Sequence, residues 1–66
     1  MEDEGFISDD LIEDTAREYV GRYGLNSVAL LRERAEIAHN AGQVMLAQVW
    51  NDIAETAERM VGLYHL

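Results

Sequence analysis

The chain has 66 residues, of which 13 are acidic and five basic, with no cysteine and no proline, and its formal net charge is −8. A chain this short has little room for both a hydrophobic core and an enclosed catalytic pocket, which argues against an enzyme. Without cysteine there are no disulfides, thiolate metal sites or thiol nucleophiles, and the acidic balance disfavours direct binding to nucleic acid or anionic membranes.

Acidic residues are concentrated at the start of the chain. Residues 1–14 carry seven acids and no base, whereas residues 15–66 carry six acids and all five arginines. Residues 1–7 mix like charges with a glycine and show no helical period, which predicts a flexible acidic arm. We expect residues 8–66 to form a single three-helix domain.

The first helix is predicted over about residues 9–23, where apolar residues recur at intervals of three and four. Ser8 or Asp10 can serve as its N-cap, since a glutamate follows Asp10 three residues later as in a capping box. Gly24 is expected to take the left-handed conformation that ends this helix. Gly21, inside it, costs about 1 kcal/mol relative to alanine, which suggests that a crossing helix packs close against it.

The second and third helices are predicted over about residues 27–41 and 43–62. Asn26 or Ser27 is expected to cap the second helix through its side chain. That helix carries two apolar stripes, a sector wide enough for two neighbours. One or two residues around Gly42 connect it to the third helix, which predicts an antiparallel helical hairpin.

The third helix has the longest apolar stripe of the chain, and Gly62 is expected to end it, leaving an apolar tail. We assign Trp50 to the core because it lies within this stripe. Period-two alternation never persists along the chain, so the fold class is predicted to be all-α. The stripe consists of Leu46, Val49, Trp50, Ile53, Ala57, Met60 and Val61, and extends toward Tyr64.

One of the five arginines differs from the others in having no acidic residue at helical spacing. Four arginines have an acid four residues away on the same helix: the pairs are Glu13 with Arg17, Glu18 with Arg22, Arg32 with Glu36, and Glu55 with Arg59. Arg34 has no acid three or four positions away. Its guanidinium is therefore expected to find a partner on another element or another chain.

Four carboxylates fall within little more than one turn at the start of the first helix: Asp9, Asp10, Glu13 and Asp14. A divalent cation or an arginine-rich partner could use them, although acids also gather at helix starts because of the helix dipole and stay solvated there. Neither His39 nor His65 has a second histidine or a cysteine at helical spacing, so no zinc site is predicted.

Large amphipathic side chains complete the set of candidates, because tyrosine, tryptophan and arginine dominate binding hot spots. For Tyr64 a place in the core and a place in an interface are equally expected. The candidate partner-binding residues are Asp9, Asp10, Glu13, Asp14, Tyr19, Tyr23, Arg34 and Tyr64.

A pattern of small and apolar residues runs through the middle of the chain. It consists of Ala16-x-x-Tyr19, Tyr23-Gly24, Ala29, Arg34-Ala35, Ala38, Ala41-Gly42 and Trp50-x-x-Ile53. Over about residues 16–58 it resembles a group of short, uncharacterised bacterial proteins with a helix, a glycine stop, a helix, a glycine turn and a tryptophan-bearing helix. Those proteins often have histidine and aspartate where this chain has Tyr23 and Gln43. The resemblance implies the fold and no activity.

Two functions are compatible with these patterns. The first is a non-enzymatic protein–protein interaction module, a homodimer that binds another protein through exposed apolar helix faces. The alternative is an acidic decoy inhibitor of the phage or regulatory type, whose carboxylates occupy a basic nucleic-acid-binding site on a target protein. Neither needs a cofactor, and no apolar stretch reaches the roughly 20 residues of a membrane span, so we expect a cytoplasmic protein.

Overall fold

The fold consists of helices alone within residues 9–65, the part of the chain whose backbone the computed structural model describes; side chains are described for residues 10–62. The elements in chain order are helix α1 (Asp9–Tyr23), a single 3₁₀ turn (Gly24–Asn26), helix α2 (Ser27–Asn40) and helix α3 (Val44–His65). The all-α class predicted from the sequence is confirmed for these residues. The predicted acidic arm, residues 1–7, lies outside them.

Helix α1 ends at a left-handed glycine, as predicted, since Gly24 has a φ of +58°. The 3₁₀ turn then leads directly into α2, and the backbone N–H of Ser27 donates a hydrogen bond to the carbonyl of Gly24. Asn26 occupies the N-cap position of α2 but makes no side-chain capping bond. The predicted side-chain cap is therefore wrong, because the preceding turn supplies the backbone partner instead.

A Schellman motif ends α2. Gly42 has a φ of +82°, and its N–H donates to the carbonyl of His39, 3.0 Å away. The N–H of Gln43 donates to the carbonyl of Ala38 at 2.9 Å. Three residues, 41–43, separate α2 from α3, one more than the short connection predicted from the sequence allows. The helices themselves pack closely against each other.

Helix α3 does not end at Gly62, and that prediction is wrong. The helix continues to His65, and positive φ angles among the described glycines occur at Gly24 and Gly42 alone. A glycine lowers helix propensity, but it ends a helix only where the backbone turns into the left-handed region. Gly62 keeps a helical backbone, so α3 includes part of the predicted apolar tail.

The core is small and rich in alanine. Six of the nine buried hydrophobic residues are alanine: the set is Ala16, Val20, Leu31, Ala35, Ala38, Ala47, Ile53, Ala54 and Ala57. Methyl side chains let helix axes approach closely, because interaxial distance depends on the size of the residues at the contact. Larger apolar side chains such as Tyr19, Val49 and Trp50 are only partly buried and pack around this core.

Helix α1 lies across α3, so the ends of α2 and α3 are left partly uncovered. Tyr19 contacts Trp50, whereas its neighbour Val20 lines a groove with Met60 and Val61, about ten residues farther along α3. The molecule is accordingly flat, with extents of 35 × 33 × 16 Å. Its radius of gyration is 12.2 Å, whereas about 11 Å is typical of a compact chain of this length.

The crossing of α1 over α3 overturns two burial expectations. Leu46, which belongs to the predicted core stripe of α3, is 44% exposed. Ile37, which with Leu30 and Ala41 makes up the second apolar stripe predicted for α2, is 61% exposed. Both lie toward the connection between α2 and α3, where α1 does not cover them, so the second stripe has no full neighbour within the described chain.

Replacing Ser27 with alanine should stabilise the protein. Ser27 is fully buried and its Oγ has no hydrogen-bond partner. An unpaired buried hydroxyl costs about 1–3 kcal/mol, so we expect Ser27→Ala to raise the free energy of unfolding by about 1 kcal/mol in urea denaturation. Thr56 is the matched control, because its hydroxyl donates to the carbonyl of Asp52 and Thr56→Val should bring no gain. A Ser27→Ala variant less stable than wild type would contradict this.

Candidate functional site

Four side chains from three helices form a continuous row on one side of the molecule, which we call the aromatic–arginine face: Tyr23, Tyr19, Trp50 and Arg34. The rings of Tyr23 and Tyr19 lie 5.5 Å apart between centroids. The rings of Tyr19 and Trp50 meet edge to face at 6.3 Å. The guanidinium carbon of Arg34 lies 5.7 Å from the centroid of the Trp50 ring.

The position of each side chain in this row follows from helix geometry. Tyr19 and Tyr23 are four residues apart and therefore share one side of α1. Trp50 lies on α3 beside the alanine-lined contact with α2, where its ring packs on the core cluster while part of it remains accessible. The core position predicted for Trp50 is thus only partly realised, because the ring also forms the centre of an exposed face.

Arg34 finds its partner on another helix. Its guanidinium lies over the ring of Trp50, a cation–π contact worth about 0.5–1 kcal/mol at an exposed site. The ion pairs seen among the described residues use other arginines: Arg17 with Asp14, Arg22 with Glu18, and Arg32 with Glu58. The N–H groups of the Arg34 guanidinium therefore remain available to a group outside the described chain.

The ion pairs differ from those predicted. Glu18 and Arg22 do pair, at 3.6 Å. Arg17 pairs with Asp14 rather than Glu13, and Arg32 reaches across to Glu58 of α3 rather than to an acid on its own helix; the distances are 3.1 and 3.2 Å. Side chains in all three pairs are about half or more exposed, so each contributes less than about 1 kcal/mol.

The acidic candidates lie apart from the aromatic–arginine face. Asp10, Glu13 and Asp14 are exposed along α1, and Asp14 is held by Arg17. Within the described part of the chain, no three His, Cys, Asp or Glu side chains are grouped as metal ligands. The side chains of Asp9 and Tyr64 lie outside the described residues, so their predicted roles stay predictions.

A second surface feature is a groove of about 540 Å³ between the end of α1 and α3. Its lining includes Arg17, Val20, Gly21, Gly24, Leu25, Met60 and Val61. A Cβ added at Gly21 would meet no atom within 4 Å. The expectation that a helix packs close against Gly21 is therefore wrong, because α1 crosses α3 in a way that turns Gly21 toward open space.

The opposite side of the α2 and α3 pair is polar. A shallow depression there is lined by Arg32, Ala35, Glu36, His39, Asn40, Ala47 and Asn51, and the exposed Arg32–Glu58 ion pair joins the two helices nearby. His39 is exposed near the end of α2. The two sides of the molecule thus differ in chemistry, and the aromatic rings of the described residues, those of Tyr19, Tyr23 and Trp50, lie on one of them.

Of the eight candidate partner-binding residues, the structure brings three together, namely Tyr19, Tyr23 and Arg34. Sequence reasoning missed Trp50 as a member of this set. The one signal that could have indicated it was the unpartnered Arg34, since an arginine without a nearby acid often stacks on an aromatic ring.

Comparison with known proteins adds no relative: no family model, curated protein or solved structure matches the chain. No helix in the described residues has both the length and the apolar character that crossing a bilayer requires.

Gly21 and Gly24 should respond in opposite ways to alanine. Gly21 has a helical backbone and free space at its Cβ, so Gly21→Ala should stabilise α1 by up to about 1 kcal/mol. Gly24 has a φ of +58°, where a Cβ is strained, so Gly24→Ala should destabilise by about 1 kcal/mol. Thermal unfolding of both variants tests this, and a loss of stability in Gly21→Ala would show that something does pack there.

Proposed function

We propose that the chain is a non-enzymatic protein-interaction module that binds a partner protein through the aromatic–arginine face. In this proposal α2 and α3 form an antiparallel helical hairpin that supports the face, and α1 contributes the two tyrosines. The observation that carries the proposal is the continuous row from Tyr23 through Tyr19 and Trp50 to Arg34.

The composition of this row is that of a binding hot spot. Tryptophan, tyrosine and arginine are the residues most enriched where a few side chains carry most of the binding energy. Tyr23 is 44% exposed, and Tyr19 and Trp50 are half-buried. Each therefore has a supported side that holds its rotamer and a free side that a partner can cover.

The rings are also held before a partner arrives. Tyr19 is fixed between Tyr23 and Trp50, and Trp50 between the core cluster and Arg34. Ordering a flexible side chain on binding costs about 0.5–1.5 kcal/mol, so a row that is already ordered loses less of its binding energy.

The partner that suits this face presents a carboxylate among apolar side chains. Arg34 has no acidic partner in the described ion pairs, and its planar fork can bind an aspartate or glutamate in bidentate fashion. The surrounding rings supply apolar contact, and the tyrosine hydroxyls supply hydrogen bonds. We expect a segment of the partner that is amphipathic and carries one acid at the centre of its apolar side.

Affinity capture with the immobilised protein tests the proposal. We expect Arg34→Glu and Tyr23→Ala to weaken capture of a specific partner at least tenfold, because each removes a hot-spot contact worth more than about 1.4 kcal/mol. Arg59→Glu is the matched control, since it makes the same charge change at an exposed arginine of α3 outside the face. Equal capture by Arg34→Glu and wild type, or equal loss in Arg59→Glu, would contradict the proposal.

The same capture distinguishes the acidic decoy. A decoy that uses the acids of residues 1–14 should bind with a steep salt dependence and lose affinity when residues 1–7 are deleted. Binding through the aromatic–arginine face should change little on that deletion. Loss of binding in the deletion variant with full binding by Arg34→Glu would favour the decoy instead.

A further inference from the structure

A long uncharged segment surrounds the connection between α2 and α3. Residues 37–51 contain no aspartate, glutamate, lysine or arginine, although 27% of the whole chain is charged. All 18 charged residues lie in the other parts of the sequence. This end of the α2 and α3 pair is therefore distinguished by its electrostatics from the remainder of a strongly acidic protein.

Apolar exposure is concentrated at this same end. Ile37, Val44, Met45 and Leu46 are 61%, 63%, 83% and 44% exposed, and they make up four of the seven large exposed hydrophobic residues in the described part of the chain. We call these four residues the turn-end surface. Ile37 lies in the last turn of α2 and the other three in the first turn of α3, so all four lie at one end of the pair, and apolar side chains exposed together in this way are typical of an interaction site.

The turn-end surface is held rigidly. The backbone between the helices is fixed by hydrogen bonds from Ala41, Gly42 and Gln43 to carbonyls at the end of α2. The N–H of Ala47 in turn donates to the carbonyl of Gln43, at 2.9 Å, which continues the bonding into α3. The four apolar side chains therefore project from an ordered scaffold, and covering them costs little backbone entropy.

We propose that the turn-end surface binds a second copy of this chain to form a homodimer. Two copies each carry a net charge of −8 and repel each other, so the surface through which they meet should be one without acids. The turn-end surface meets this requirement. A two-fold dimer also needs a patch that complements itself, and an apolar patch does so whereas a charged patch does not.

The surroundings of the patch fit the same occupant. Asn40, Gln43 and Gln48 are exposed around it. A side-chain amide carries both donors and acceptors, so two identical amides can bond across a two-fold axis. A specific dimer buries about 1,000 Å² or more in total, so the contact must include the amide rim as well as the four apolar side chains.

The dimer does not depend on the proposed function, although the two surfaces are neighbours. Ile37 lies one turn from Arg34, and Leu46 lies one turn from Trp50. A dimer through the turn-end surface would thus carry two aromatic–arginine faces in one assembly. A partner with two matching segments would bind such an assembly more tightly than a single copy.

Light scattering on the full chain tests the dimer, since one copy has a mass of 7.5 kDa. We expect the wild type to show twice that mass, and Met45→Asp and Val44→Asp to show the mass of a single copy. Leu25→Asp is the matched control. Leu25 is 63% exposed but lies in the 3₁₀ turn between α1 and α2, outside the turn-end surface, so this variant should remain dimeric. Added salt should strengthen the wild-type dimer by screening the repulsion of the two acidic chains.

A wild type that stays a single copy at about 1 mM, which is far above the dissociation constant of a specific dimer, would overturn the proposal. Retention of the dimer by both turn variants, or its loss in Leu25→Asp, would also overturn it.

Cross-linking gives an independent measurement. Because the chain has no cysteine, a single introduced cysteine can form a disulfide only with the same residue of a second copy. Oxidation of Gln43→Cys should yield a covalent dimer, whereas Glu33→Cys, exposed on α2, should not, and the reverse result would contradict the proposed contact. Capture of a partner by a single-copy variant would show that the proposed function holds without the dimer.

Discussion

The close contact of alanine-lined helix faces is the constraint on which the rest of this structure depends. Ala35 and Ala38 on α2 and Ala47 on α3 are buried, Ala54 and Ala57 on α3 are buried in one cluster with Leu31 of α2, and the two helices pack closely. A contact made mostly of methyl groups leaves little space for further large side chains, because protein interiors are packed as densely as organic crystals. The largest fully buried side chain is that of Leu31. Most of the aromatic and long aliphatic residues in the described part of the chain are consequently placed around the core and not within it.

This placement links the fold to its surfaces. Trp50 lies beside the alanine contact, covered on one side by the core cluster and on another by Arg34. Because α1 crosses α3, its two tyrosines extend the row of rings, Gly21 faces a groove, and the end around the α2 and α3 connection stays uncovered. One crossing thus accounts for the aromatic–arginine face, the open space at Gly21 and the turn-end surface. A thin molecule of this kind exposes apolar groups that a thicker bundle would bury.

Local sequence signals predict the elements well and their mutual arrangement poorly. Periodicity indicates the helices, and Gly24 is the left-handed stop that its position after an apolar stripe suggests. The absence of an acid three or four positions from Arg34 correctly indicates a contact on another element, the ring of Trp50 on α3. Burial of Leu46 and close packing at Gly21 fail as predictions, because both depend on where α1 crosses α3. Periodicity gives the apolar side of each helix but not the angle at which two such sides meet.

Overpacking the alanine contact is the most direct measurement of this account. Ala54 is fully buried, whereas Ala29 on α2 is exposed. If close methyl packing holds the helices together, Ala54→Leu should lower the free energy of unfolding in urea by about 1–3 kcal/mol. Ala29→Leu should change it by less than about 0.5 kcal/mol. An Ala54→Leu variant as stable as the wild type would contradict the account, because it would mean that the contact has room for the side chains that the structure places outside.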